Sequence, residues 1–177
     1  MNYMQEYQSP LGKITFASDG ECLTGLWFNG QKYFADSFDK NWQEKALPIF
    51  NQTKIWLDIY FSGREPNFTP PIKMLTTDFR KIVWQILLKI PYGQTITYGR
   101  IAKMVAEEKN LSKMSAQAVG GAVAHNSISI IIPCHRVIGS NGSLTGYAGG
   151  IDKKIKLLEL EKVNIKNFFV PKNGTAL

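Results

Sequence analysis

Residues 126–150 read NSISIIIPCHRVIGSNGSLTGYAGG, and the reading of the whole chain turns on this stretch. Residues 128–132 form a short, mostly apolar run bounded by turn residues, which predicts a buried strand. Pro133 ends it, because proline has no N–H for a further ladder bond. Cys134 and His135 follow at once. A lone cysteine is most often an inert buried residue. Here the cationic neighbours His135 and Arg136 are expected to favour the thiolate, the nucleophilic form of the side chain. Adjacent side chains often diverge, so the pair alone leaves the inert and the catalytic readings open.

Upstream the chain reads as helical. Ser115 opens a helix over about 116–125, AQAVGGAVAH, which carries almost no bulk. Each glycine in its middle costs roughly 1 kcal/mol against alanine. Close helix packing or entry into a groove of nucleic acid would each account for it, and composition does not separate the two. Thr97 caps a short helix with Ile101, Ala102 and Val105 inward. Two short helices in succession suggest a helix-turn-helix, although the connection over 107–114 is longer than usual. Before them, Thr77 caps an amphipathic helix with Phe79, Ile82, Val83, Ile86, Leu87 and Ile90 on one stripe, ended by Pro91-Tyr92-Gly93.

The N-terminal part reads as β. Strands are predicted over about 2–8, 12–18 and 22–28, with Asp19-Gly20 as a tight-hairpin signal. Residues 31–45 show no clear period. A helix is predicted from Pro48 to Phe61, with Ile55, Ile59 and Trp56, Tyr60 as inward pairs. Three prolines in residues 63–73 read as a linker. The charge balance changes at the same place. Residues 1–74 hold 7 basic and 8 acidic side chains, and residues 75–177 hold 14 and 6. The whole excess of the +7 chain therefore lies in the second part, where an anionic partner would bind.

Other classes are excluded. The 177 residues, 44% hydrophobic and 20% charged, suit a globular protein rather than a disordered one. No apolar run approaches the ~18 residues of a membrane span. The start of the chain shows no signal-peptide pattern. The two cysteines, Cys22 and Cys134, form no disulfide framework and suit a reducing, cytoplasmic compartment. The spacing offers no zinc site, and no metal or cofactor is implied.

Ile132-Pro133-Cys134-His135-Arg136-Val137, with Gly142, Leu144, Gly146-Tyr147 and Gly149-Gly150, resembles the active-site signature of the O6-alkylguanine-DNA alkyltransferases. The similarity extends through Pro91-Tyr92-Gly93, Thr97-Tyr98 and residues 118–122 to Lys154, Leu157-Leu158 and Glu161, and back to Ser9-Pro10-Leu11-Gly12. The resemblance implies an α+β fold. An N-terminal α/β domain with a small antiparallel sheet would occupy 1–74. A C-terminal winged helix-turn-helix domain would occupy 75–165, and a peripheral tail 166–177. It implies a suicidal methylated-DNA–protein-cysteine methyltransferase, acting as a monomer on double-stranded DNA. The lesion would be O6-alkylguanine, with O4-alkylthymine as a second candidate. A non-catalytic lesion sensor, a winged-helix transcription factor and a cysteine hydrolase are the alternatives. None explains Cys134, Tyr98, the Gly-Gly helix and Glu161 together.

The resemblance also implies residue roles. Cys134 is the acceptor, His135 takes its proton through a water, and Glu161 orients the histidine. Tyr98 supplies a proton near guanine N3, and Asn126 braces the turn around the nucleophile. Tyr147, Val137 and Ala148 line the base pocket, partly through main chain. Ser115, Gln117, Ala118 and Gly121 belong to the helix that lies in the minor groove. Arg100, by its place around the helix-turn-helix rather than by the resemblance, is either a phosphate contact or a solvated surface charge. Three positions depart from the common pattern. Gln117 replaces an intercalating arginine, which implies weaker binding or faster release. Ser127 stands where proline is frequent, and Ala148 where some relatives have serine.

Overall fold

The computed structural model describes residues 2–35 and 42–172. The chain forms two compact units. The first comprises residues 1–75 together with Ser127–Ile131, and the second comprises Thr76–Asn126 and Ile132–Leu177. The chain thus leaves the second unit for five residues, immediately before the cysteine.

The first unit is a four-stranded sheet with one helix. β1 (Asn2–Ser9), β2 (Gly12–Ser18), β3 (Leu23–Phe28) and β4 (Trp42–Glu44) lie in the order β3-β2-β1-β4. The sheet is mixed rather than antiparallel, because β4 runs parallel to β1. Residues 31–45 conceal this strand, since three residues are too few to show a period; residues 36–41 of that stretch lie outside the described residues. The turn after β2 is wider than a two-residue hairpin, and the register shifts at Ala17/Ser18. Asp19 closes that turn by accepting from the backbone N–H groups of Glu21 and Cys22.

α1 (Pro48–Phe61) starts with proline, whose missing N–H would be unpaired there anyway. It buries Ile49, Phe50, Trp56, Leu57 and Tyr60. Ile55 was expected inward but is 54% exposed, so the stripe runs through Trp56 and Tyr60 instead. Ile14, Phe16, Leu26 and Phe28 of β2 and β3 are fully buried in the same unit.

The second unit is helical. α2 (Asp78–Leu88), α3 (Tyr98–Glu108) and α4 (Ala116–Ala124) begin at Thr77, Thr97 and Ser115, whose hydroxyls accept from backbone N–H groups of the first turn. Such caps contribute about 1 kcal/mol each. Val83, Trp84 and Leu87 of α2 pack with Ile101 and Val105 of α3 and Val119 and Val123 of α4 in the core. The buried Trp84 indole N–H donates to the Ala122 carbonyl at 2.9 Å, which ties α2 to α4.

β5 (Ile96–Thr97) and β6 (Val137–Ile138) pair in parallel. α5 (Ile151–Leu160) buries Lys154, Leu157 and Leu158. Ile138, Leu144 and Leu158 make a smaller core, against which Phe168 packs. The segment after residue 165, expected as a peripheral tail, is held as far as Phe169, whose carbonyl accepts from Leu144 N. No helix among the described residues is long and apolar enough to cross a membrane.

Residues 128–132 are not a strand. They form one bridge, Ile128 to Leu26, and then turn. Ile130 has φ +70°. A β-branched residue rarely adopts that conformation unless its surroundings impose it.

Candidate active site

Cys134 begins a single turn of 3-10 helix, Cys134–Arg136, that follows directly from Pro133. Pro133 has φ −81° and ψ 63°, and Cys134 N donates back to the Ile132 carbonyl at 2.8 Å. This inverse γ-turn presents the thiol to Asn126. The Asn126 amide donates to the Ile132 carbonyl at 2.8 Å and to Cys134 Sγ at 3.1 Å. One side chain therefore fixes both the turn and the sulfur.

Burial pushes the Cys134 thiol up, against the Asn126 hydrogen bond and the Lys154 charge, which favour the thiolate. The expectation that His135 and Arg136 would ionise the thiol is not met, and the reason is geometric. Burial lowers His135, against the pull of Glu161, so the imidazole is neutral near pH 7. The Arg136 guanidinium is committed elsewhere. Its Nε and Nη2 donate to the Glu161 carboxylate at 2.8 and 3.0 Å, and Nη1 donates to the Ile90 carbonyl at 2.6 Å.

Glu161 follows the last turn of α5 and is almost fully buried. Its carboxylate faces His135 Nε2 at 2.7 Å and accepts from Gly93 N at 3.1 Å, besides the two Arg136 bonds. Burial alone would raise it, but His135 and Arg136 outweigh burial and hold it at about 2. An ionised carboxylate only accepts, so Nε2 carries the imidazole proton and Nδ1 is the lone-pair nitrogen. Gly93 is required in this cradle. Its φ is +74°, and a Cβ there would sit 2.9 Å from the Glu161 carbonyl.

Tyr98 opens α3 and donates to the Thr145 carbonyl at 3.2 Å. Burial, and the repulsion that an ionised Cys134 would add, push its phenol up to about 12, so it keeps its proton near neutral pH. Tyr147 is buried, its hydroxyl has no hydrogen-bond partner among the described residues, and burial raises it well above the ordinary value. Lys154 donates to the Val137 and Thr145 carbonyls at 2.5 and 2.7 Å, and burial lowers it to about 8. Ala148 is half-buried and Val137 buried in the same segment.

Ser115, Gln117, Ala118 and Gly121 are all exposed along one side of α4, and Arg100 is exposed on α3. A Cβ on Gly121 would meet nothing within 4 Å, whereas one on Gly120 would touch the Tyr98 ring at 3.9 Å. Both readings of the Gly-Gly pair thus have a place: Gly120 faces the protein and Gly121 faces outward.

Sequence reasoning missed Arg136, Gly93 and Lys154 as site residues. Lys154 had a signal, since it lies at i and i+3, i+4 with Leu157 and Leu158, a charge on an apolar stripe.

A buried thiol held by an asparagine, a neutral imidazole paired with an ionised carboxylate and an exposed helix almost without bulk, all in one unit, are the parts of a cysteine nucleophile. Residues 78–163 match the DNA-binding domain of 6-O-methylguanine DNA methyltransferase, and residues 2–74 match the ribonuclease-like domain of the same family. The chain belongs to this family. It is 39% identical over 162 residues to the methylated-DNA–protein-cysteine methyltransferase of Haemophilus influenzae, covering 91% of this chain and 87% of that one. It is 42% identical over 159 residues to the protein of the same name from Methanosarcina acetivorans, covering 90% and 97%. The crystal structure of Mycobacterium tuberculosis OGT in complex with DNA superposes with a TM-score of 0.78 at 41% identity, covering 90% of this chain and 92% of that one.

Proposed function

We propose that this chain repairs DNA by moving the alkyl group of O6-alkylguanine to Cys134 in a single turnover. The observation that carries this reading is the buried thiol held by Asn126, followed in the same 3-10 turn by a neutral His135 whose Nε2 faces ionised Glu161. His135 Nδ1 takes the thiol proton. The sulfur attacks the alkyl carbon, the S–C bond forms and the C–O6 bond breaks. The electron pair stays on guanine, to which the Tyr98 hydroxyl donates a hydrogen bond; guanine gains one proton and the His135 imidazolium releases the one taken from the thiol, so no net proton is made or lost. The thioether has no good leaving group, so one protein is consumed per lesion.

The base must leave the duplex to reach the sulfur, at a cost of a few kcal/mol. The main chain around Val137 and Ala148 reads its edge, and Tyr147 lines the pocket. Lys154 occupies one lone pair of the Val137 carbonyl and leaves the other for an exocyclic amine. The exposed side of α4 enters a minor groove only ~6 Å wide, which its small side chains suit. Ser115, Ala118 and Gly121 approach the backbone, Gln117 fills the space of the flipped nucleotide, and Arg100 meets phosphate. The N-terminal domain, 1–74, is structural. The domain over 75–165 binds DNA and reacts. We place the protein in the cytoplasm, where its two free cysteines stay reduced.

Incubation with duplex DNA carrying O6-methylguanine is expected to add one methyl mass to the peptide containing Cys134. Cys134→Ala is expected to abolish transfer and keep DNA binding. Folded protein with excess substrate and no adduct would overturn the reading.

A further inference from the structure

The geometry points to Gln31, far from Cys134 in sequence, as a positioning residue for the nucleophile, a role that rests on the transfer reaction proposed above. Gln31 is buried, and its Oε1 accepts from Phe28 N at 3.0 Å and from Ser129 Oγ at 3.2 Å. Ser129 is itself held to β3, since Leu26 N donates to the Ser127 carbonyl and Ser129 N donates to the Leu26 carbonyl, both at 2.8 Å. β3 is an edge strand of the sheet, so these bonds complete it locally.

The next residue is Ile130 at φ +70°, in a turn closed by Ile131 N donating to the Ser129 carbonyl at 2.9 Å. Such a conformation costs of order 1–3 kcal/mol and persists only where neighbouring bonds impose it. Gln31 and Leu26 provide them. The turn fixes where Ile132 begins, and the Ile132 carbonyl is the acceptor for both Asn126 Nδ2 and Cys134 N. The backbone that leads from Ser129, held by Gln31, to Cys134 therefore passes through the Ile130 turn and the Ile132 carbonyl. Released, residues 129–131 relax out of the left-handed turn and the Asn126 bond to Sγ is lost.

Ser129→Ala, Gln31→Leu and Gln31→Glu test this with two readouts. One is the single-turnover rate of methyl transfer from O6-methylguanine DNA. The other is the pH profile of iodoacetamide labelling of Cys134 in the DNA-free protein, followed by peptide mass so that Cys22 is counted apart. Ser129→Ala and Gln31→Leu are expected to slow transfer roughly tenfold, as for a small misplacement of reacting groups. They are also expected to move the labelling profile to higher pH, because the Asn126 bond favours the thiolate. Gln31→Glu keeps an acceptor oxygen at the same reach and is expected to restore both. Ser129→Ala leaves the Gln31 bond to Phe28 in place, so it carries the test if Gln31→Leu does not fold. Folded Ser129→Ala with wild-type rate and wild-type labelling profile overturns the proposal. If the wild-type protein transfers nothing, the repair reading fails, and the labelling profile still decides the positioning role.

Discussion

Both units pair charges at the surface, but among the described residues only the second also buries them. In the first, ion pairs lie at the surface: Lys13 with Glu6 and Lys73 with Asp19, each at 2.9 Å between well-hydrated side chains. Its interior is mostly apolar, with the buried Thr15, Gln31 and Thr53 side chains hydrogen-bonded and no buried charge among the described residues. In the second, Glu161 and Lys154 lie inside with His135, and Arg136 is only slightly exposed. Taking an ion out of water costs several kcal/mol, and apolar side chains of similar size would often stabilise as well or better. Buried charge is thus poorly explained by stability. Under the function proposed above it stands where a proton is accepted and a base edge held, which assigns the reaction to the second unit.

The largest effect expected from breaking this contrast is at Glu161. Glu161→Ala leaves the Arg136 guanidinium buried without its carboxylate and is expected to cost about 3–5 kcal/mol in urea unfolding. Transfer activity should fall with it. A cost as small as that of a surface pair would erase the distinction between the units.

Gly93→Ala comes next. The left-handed φ and the 2.9 Å approach to the Glu161 carbonyl predict a loss of about 1–3 kcal/mol and slower transfer. Unfolding curves and single-turnover rates check both.

The buried charges also predict the pH dependence. Glu161 is held at about 2 against an ordinary 4.5. Its pairing therefore stabilises the fold fully above pH 4.5, and this contribution is lost as pH falls through about 2. Lys154 is lowered to about 8 against an ordinary 10.5. Unfolding takes up a proton between those values, so the Lys154 contribution to stability rises with pH across that window. Unfolding free energies at pH 7.5 and 9.5 should show the rise in the wild type and lose it in Lys154→Met.

Smaller again is Gly121→Ala. It is expected to stabilise the free protein by about 1 kcal/mol, since alanine suits a helix and meets nothing there. DNA affinity is expected to fall, as read by a binding titration. Unchanged affinity would return the small residues of α4 to a packing role. The smallest effect belongs to the first unit: Glu6→Ala removes an exposed pair and should change stability by no more than about 1 kcal/mol.

Legibility followed the range of the interactions. Thr77, Thr97 and Ser115 were readable as helix starts because a cap involves only the next three residues. The stripe of α2 was readable, although the helix also buries Trp84 and leaves Phe79 only partly covered. β4 was not, because a three-residue strand is stabilised by β1 and not by its own pattern. The segment 128–132 was misread for a related reason. Its isoleucines favour an extended chain, and bonds from Leu26 and Gln31 override that preference at Ile130.

The sequence by itself determined the two-part organisation, the helix starts and the Pro-Cys-His-Arg signature with its distant Glu161. Only the tertiary structure decided the charge state of those groups. It turned Arg136 to Glu161 instead of Cys134, left His135 neutral, and placed Lys154 on the pocket carbonyls. Protonation depends on burial and on partners brought together from the segment after α2, from Asn126 after α4, from α5 and its end, and from the turn at Pro133. Local patterns record which residues are present but not how deeply the finished fold removes them from water.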